Sequence, residues 1–331
     1  MKKIIIAEIG SVHDGSFGNA QKLIELAAEC GADCVKFQTH IAGAETLKDA
    51  PMPSFFASEP RYTYFDRTGF SIEQWKELKD KCDEHKIEFL SSPFSNEAVE
   101  LLEKIEISRY KIPSGEVTNL PMLELIAQTD KPIILSSGMS TWKELDEAVN
   151  TIQKIHNKIT VLQCTSEYPC AFENVGLNIM IEMRDRYNLP IGLSDHTLSN
   201  YSSFSAVSLG ATVIEKHLTF SRKMYGSDAK HSLEPDEFKD LVKGVDAIEK
   251  MLSNKVGKDL VANQMKEMKE VFQKSIVAAC DIAEGKKIRM EHLAFKKPGI
   301  GIPANRYKDV LGRKVLRKIS KDEIINIKDI K

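Results

Sequence analysis

Nowhere does the chain carry a run of about 20 apolar residues, the length a membrane-spanning helix needs. Its start, Met1-Lys2-Lys3 followed by Ile4-Ile5-Ile6, has the charge of a leader peptide, but Glu8 cuts the apolar run short. That stretch reads as a first strand, and the protein as cytoplasmic. Surplus charge is also missing. Lysine plus arginine (46) nearly balances aspartate plus glutamate (48), for a net charge of -2. Neither nucleic acid nor an anionic membrane is indicated as a partner, and any bound anion must be held by a local site. The six cysteines, Cys30, Cys34, Cys82, Cys164, Cys170 and Cys280, show no CxxC spacing. They read as reduced, mostly buried thiols, with neither a disulfide framework nor a structural zinc. The glycine-rich dinucleotide turn is absent too, since Gly10-Ser11-Val12-His13-Asp14-Gly15 does not fit GxGxxG.

What is present is a rhythm. Short β-rich runs recur at Ile4–Ile9, Cys34–Gln38, Glu88–Ser91, Arg109–Ile112, Pro132–Ser136, Thr160–Gln163, Pro190–Ser194 and Thr212–His217. Amphipathic stretches such as Asn19–Cys30, Ile72–His85, Ser95–Lys104, Trp142–Ile155 and Pro235–Leu252 lie between them. Helix starts are marked near Asn96 and at Thr141, where Glu144 completes a capping box. About eight β/α units over roughly 250 residues predict an α/β fold of the TIM (β/α)8 barrel type, over residues 1–253. One long connection, from about Ile41 to Gly69, shows no strong period and holds Phe55, Phe56, Arg61, Tyr62, Tyr64, Phe65 and Arg67. A connection of that length is functional or a subunit contact.

Residues 254–273 are polar and lysine-rich and read as a linker containing a helix. Residues 274–331 break into short β-like pieces with two similar passages, Asp281–Ile288 and Lys318–Ile325. Each is followed by a short acidic start, at Met290 and at Ile327. A small β-rich domain of two related halves is expected there.

Barrel enzymes keep their chemistry at the C-terminal ends of their strands. Here those ends offer Glu8; Lys36 and Gln38; Ser91 and Ser92; Lys111, Ser114 and Glu116; Ser136 and Ser137. The later strands add Thr165, Ser166, Glu167 and Tyr168; Ser194, Asp195 and His196; Glu215, Lys216 and His217. Any one of these has a dull explanation, a serine as a helix cap or a lysine as a salt-bridging surface residue. Two lysines and a ring of hydroxyls at one mouth make a cradle for a small phosphate ester. His196 and His217 close neighbouring strands. They are either hydrogen-bonded core histidines or an open two-histidine site for a Lewis-acidic metal.

Several passages together resemble the sialic acid synthase family. They are Ala7-Glu8-Ile9-Gly10, Val35-Lys36-Phe37-Gln38-Thr39, Ser91-Ser92-Pro93-Phe94, Tyr110-Lys111-Ile112-Pro113-Ser114-Gly115-Glu116 and Leu135-Ser136-Ser137-Gly138-Met139. Gln163-Cys164-Thr165-Ser166-Glu167-Tyr168-Pro169, Gly192-Leu193-Ser194-Asp195-His196-Thr197 and Ile214-Glu215-Lys216-His217 continue the series in order. Pro298-Gly299-Ile300-Gly301-Ile302-Pro303 resembles the antifreeze-like (SAF, β-clip) domain that ends these enzymes. The resemblance implies condensation of phosphoenolpyruvate with an N-acyl amino sugar and release of phosphate. N-acetylmannosamine is the favoured acceptor, giving N-acetylneuraminate. A diacetamido-trideoxy hexose, giving legionaminic or pseudaminic acid, is the alternative, and a Schiff-base pyruvate aldolase or lyase is the rival class.

It further implies that Lys36, Lys111, Ser92, Ser114, Ser136 and Ser194 bind phosphoenolpyruvate. His196 and His217 would hold Mn²⁺ or Mg²⁺, and a domain-swapped homodimer would place one antifreeze-like domain over the partner's site. Glu8 is the candidate for orienting or deprotonating water, with Glu116 second. Gln38, Ser166, Tyr168 and Asp228 are candidate substrate contacts. Lys297 stands where the family has a sugar-contacting arginine, keeping the charge without the planar fork. Arg306 is the other cation of that segment.

Overall fold

The eight short β-rich runs become eight parallel strands in the computed structural model, which describes residues 3–51 and 59–331. The strands are β1 (Ile4–Glu8), β2 (Cys34–Thr39), β3 (Glu88–Pro93), β4 (Tyr110–Ile112), β5 (Ile133–Ser136), β6 (Ile159–Cys164), β7 (Ile191–Asp195) and β8 (Val213–His217). Each lies within two residues of its expected run. The hydrogen-bonded order is β3-β2-β1-β8-β7-β6-β5-β4, so the first strand pairs with the last. β3 and β4 complete the nearly closed barrel.

Helices α1 (Phe17–Glu29), α2 (Ala42–Glu45), α3 (Arg61–Thr68), α4 (Ile72–Glu84), α5 (Asn96–Lys104) and α6 (Leu120–Gln128) belong to the first half of the barrel. α7 (Trp142–Gln153), α8 (Leu177–Tyr187), α9 (Tyr201–Ser208) and α10 (Pro235–Ser253) belong to the second. Thr141 and Glu144 form the expected capping box of α7. α5 is capped by Ser95, whose side chain accepts from the Ala98 amide, one residue ahead of the expected start. The connection that showed no period holds α2 and α3; Phe55 and Phe56 lie outside the described residues.

Alternation sorts the strand side chains into two faces. Ile5, Ala7, Val35, Phe37, Phe89 and Leu135 point outward into the main core beneath the helices, where Phe37, Phe70, Trp75 and Phe89 make edge and stacked ring contacts. Ile6, Cys34, Leu90, Ile134, Leu162 and Val213 form a separate apolar layer inside the barrel. Gly192 is the small member there, since a Cβ would meet Val213 O at 2.3 Å. Two residues further along these same strands, the inward positions are Glu8, Lys36, Ser92, Ser136, Cys164, Ser194 and Glu215. The polar mouth therefore rests on an apolar floor.

The chain divides into two units, Met1–Ser253 and Asn254–Lys331. The second contains α11 (Lys258–Gln264), α12 (Lys266–Phe272), and antiparallel β9 (Ser275–Ala278) and β10 (Leu293–Lys296). Two short helices thus replace the single one expected, parted at Met265 (φ -91, ψ 29). The two similar passages meet about a local twofold, with Ile282 and Ile319 exchanging backbone hydrogen bonds of 2.8 and 3.0 Å. The turns at Met290–His292 and Ile327–Asp329 occupy matching places, and both halves feed one apolar core that includes Ile282, Val315 and Ile319. No helix among the described residues is long and apolar enough to cross a membrane.

Candidate active site

The inward polar residues converge on a cavity of about 340 Å³ at the C-terminal ends of the strands. At its base, Lys36 and Lys111 flank Glu215, with Lys36 Nζ 3.8 Å from Oε2 and Lys111 Nζ 3.5 Å from Oε1. Lys36 also lies 2.7 Å from Glu8 Oε2 and donates to Ser92 Oγ at 3.2 Å. Lys111 donates to Ser136 Oγ at 2.7 Å, and Ser194 Oγ donates to Glu215 Oε1 at 2.9 Å. All four charged groups are at most 5% exposed. Two cations and two anions leave this cradle neutral in the free protein.

Burial alone would raise the Glu215 carboxyl, but Lys111, then Lys36 and Ser194, hold it down at about 2. Burial pushes Lys111 below the ordinary lysine range, with Glu215 offsetting only part of it. For Lys36 the balance reverses. Glu215 and Glu8 outweigh burial and raise it. The depressed Glu215 stabilises the fold above pH ~4.5, and that contribution disappears as pH falls toward ~2. Its size is on the order of 3 kcal/mol. Glu215→Gln should therefore lower neutral-pH stability by about that amount and flatten acid unfolding between pH ~4.5 and ~2. Urea unfolding measured across that pH range checks both, and parallel wild-type and variant curves would refute the ion network.

Glu8 Oε1 accepts from Gln38 Nε2 at 2.7 Å, and Gln38 Oε1 lies 3.1 Å from His40 Nε2. The far side of His40 meets Glu45 at 2.9 Å, while Phe65 and Phe94 stack on its two faces at 3.8 and 4.1 Å. Glu8 is thus aimed by a chain of hydrogen bonds that begins on α2.

On the opposite strands, His196 Nδ1 donates to Thr165 O at 2.7 Å, leaving Nε2 unprotonated in the neutral ring. Burial, then the neighbouring His217, lowers His196 to about 4. The two imidazole centroids are 5.6 Å apart, and Tyr168 stacks on His196 at 4.1 Å. His217 Nδ1 is buried with no hydrogen-bond partner. Among the described residues, no group of three or more His, Cys, Asp or Glu side chains is arranged to hold a metal. The pair fits an ion that takes its remaining ligands from water and substrate.

Asp228 is fixed by the Ser11 amide at 2.7 Å and Ser11 Oγ at 2.8 Å. Its carboxylate fills the space over Gly10, where a Cβ would meet Oδ2 at 2.3 Å and φ is +51. Ser114 and Ser166 line the same cavity.

Ser92 lies beneath the cavity, reaching it only through Lys36, and Glu116 sits beside the rim, bonded to Asn119 at 2.9 Å. Burial raises the Glu116 carboxyl. Lys297 belongs to the second unit, where it stands 5.0 Å over the Phe272 ring, and Arg306 pairs there with Asp309 at 2.7 Å. Glu215, His40, Arg61 and His231 are site residues that the sequence reading did not select. For Glu215 the signal was there, because it shares its strand face with His217. Lys216, between them, faces outward and pairs with Asp195 at 2.9 Å.

A parallel barrel whose strand ends gather buried lysines, carboxylates and paired histidines around one small cavity defines a barrel enzyme. The chain belongs to the NeuB family, which it matches over residues 23–257, and residues 273–331 match the SAF domain. It is a synthase of the sialic-acid type. It is 40% identical to the N,N'-diacetyllegionaminic acid synthase of Campylobacter jejuni, over 98% of this chain and 99% of that one. It is 34% identical to the human N-acetylneuraminate-9-phosphate synthase, over 97% and 90%. The crystal structure of N-acetylneuraminic acid synthetase from Leptospira borgpetersenii, in complex with citrate, superposes with a TM-score of 0.71. That match has 28% identity and covers 81% of this chain and 92% of the other.

Proposed function

We propose that the chain condenses phosphoenolpyruvate with an N-acylated amino sugar, a diacetamido-trideoxy hexose, to give a legionaminic-type acid and inorganic phosphate. The observation that carries this reading is the buried Lys36–Glu215–Lys111 cradle, ringed by Ser136, Ser194 and Ser114. A phosphate ester entering it meets two buried ammonium groups and oriented hydroxyls. The acceptor assignment is supported by the 40% identity to the diacetyllegionaminic acid synthase. Phe65, Phe94 and Met139 line the cavity and suit a deoxygenated sugar better than a phosphorylated one. N-acetylmannosamine is the comparison acceptor.

In this reaction the methylene carbon of phosphoenolpyruvate forms a bond to the sugar aldehyde carbon, and the aldehyde oxygen takes a proton. Positive charge develops at the pyruvyl carbon, water adds there, and phosphate leaves with its bridging oxygen. Lys36 and Lys111 hold the phosphate as its charge grows. Glu8, aimed by Gln38 and paired with Lys36, orients the water and accepts its proton. His196 and His217 would hold a divalent ion, Mn²⁺ or Mg²⁺, which supplies Lewis-acid polarisation of the aldehyde. Asp228 and Tyr168 would contact sugar hydroxyls. A domain-swapped homodimer belongs to the same reading, and a purely monomeric sedimentation profile would remove it.

Phosphate release from phosphoenolpyruvate with Mn²⁺ and each acceptor tests the proposal. Release with the diacetamido sugar exceeding that with N-acetylmannosamine supports it, and no release with either refutes it. The lowered basicity of Lys111 is the one feature that favours a Schiff-base lysine. Borohydride trapping of pyruvate on the protein would show that chemistry instead.

A further inference from the structure

His231 ends the short turn Ala229–His231 in the loop after β8 and lines the cavity. The turn is held at both ends. The His231 amide donates to Asp228 O at 3.0 Å, and Ser232 Oγ donates to the same oxygen at 2.7 Å. Leu233 N then donates to His217 O at 2.9 Å. The ring is therefore presented from a fixed backbone, 6.1 Å from the Tyr168 ring, which also stacks on His196 and meets His217 edge-on. Yet both ring nitrogens, Nδ1 and Nε2, are buried without a hydrogen-bond partner. Buried polar atoms are almost always paired, because leaving one unpaired destabilises the fold. An imidazole with two such atoms at the wall of a binding cavity is built for a group that arrives with the ligand.

We propose that His231 is a specificity-determining residue for the acceptor sugar, pairing its ring nitrogens with the acylamino substituents. This rests on the synthase reading above. A neutral imidazole presents one N–H donor and one lone pair. An acylamino group presents an N–H and a carbonyl oxygen, so it can meet either nitrogen, and the two such groups of a diacetamido sugar can meet both. A phosphate offers only acceptors and would leave the lone pair facing an oxyanion, with the Asp228 carboxylate three residues away in the same turn. Burial, and then Lys230, lower the ring's pKa, which keeps it neutral near pH 7. The residue thus selects an uncharged, acylated acceptor.

The test is initial-rate phosphate release by the wild-type protein, His231→Ala and His231→Gln, with the diacetamido sugar and phosphoenolpyruvate varied in turn. His231→Ala should raise the acceptor KM about tenfold, with kcat falling far less and the phosphoenolpyruvate KM unmoved. His231→Gln, with one donor and one acceptor, should recover most of the loss. Thermal unfolding should be no lower in either variant, since no internal hydrogen bond is removed. An unchanged acceptor KM in His231→Ala, an equal rise in both KM values, or a matching drop in Tm overturns the assignment. Absence of release by the wild-type protein overturns the synthase reading together with this one. Release by the wild type with an unaltered variant KM overturns this inference alone.

Discussion

Replacing Lys111 with methionine should cut kcat/KM for phosphoenolpyruvate by roughly a thousandfold, with a loss of fold stability smaller than that of Glu215→Gln. The two halves of that result have one cause. Lys111 is 2% exposed, and burial holds it below the normal lysine range, so its charge is carried against the grain of its surroundings. A group with a lowered folded pKa takes stability away while it is protonated, and methionine removes that cost at nearly the same volume. The ammonium is kept because phosphate needs it. Its hydrogen bond to Ser136 and its approach to Glu215 aim it into the cradle, and a desolvated charge acts strongly on a growing oxyanion. Glu215 retains Lys36, so it is not stranded. Steady-state kinetics beside urea unfolding decide the matter. A large loss of stability together with the loss of activity would make Lys111 a structural lysine.

His217→Ala and His196→Ala should each lower phosphate release by about a hundredfold or more, and chelation should abolish it in the wild type. His196 Nδ1 is committed to Thr165 O, so its Nε2 is the available ligand atom, and His217 has a buried nitrogen with nothing to bond. In the proposed site the two histidines are the protein ligands, so losing one should abolish tight binding, and calorimetric titration with Mn²⁺ reads this without turnover. Unchanged Mn²⁺ binding in both variants would return the pair to the role of packed core histidines.

The barrel was legible because parallel strands buried on both faces leave strong apolar runs, and because helix starts such as Thr141 and Glu144 carry local chemistry. α3 was not, because its apolar side chains come from Tyr64 and Phe65 among charged neighbours, and its place is set by tertiary contacts such as His40 on Phe65. Lys36, Lys111, Ser136, Ser194 and the two histidines, which line one cavity, could be grouped from the sequence because they lie in the C-terminal parts of strands or just after them. Strand ends alone did not separate the two faces. Lys216 and Asp195 looked as promising as Glu215, but they pair with each other on the outer face of the barrel, where Ser202 and Ser203 of α9 also hold Asp195. His40 and His231 lie in connections, where spacing carries no direction and only the folded chain brings them to the cavity.

Because β1 pairs with β8, and Ser11 holds Asp228 from 217 residues away, the cavity joins the earliest-made part of the barrel to one of the latest. At about 5–20 residues per second, a ribosome takes tens of seconds to deliver the second partner after the first. Through that interval Glu8 and Lys36 have no Glu215 to share, and the edge of β1 that β8 will cover is open. The nascent barrel is thus a template for wrong pairing for most of its synthesis, and the active site is among the last features the barrel acquires.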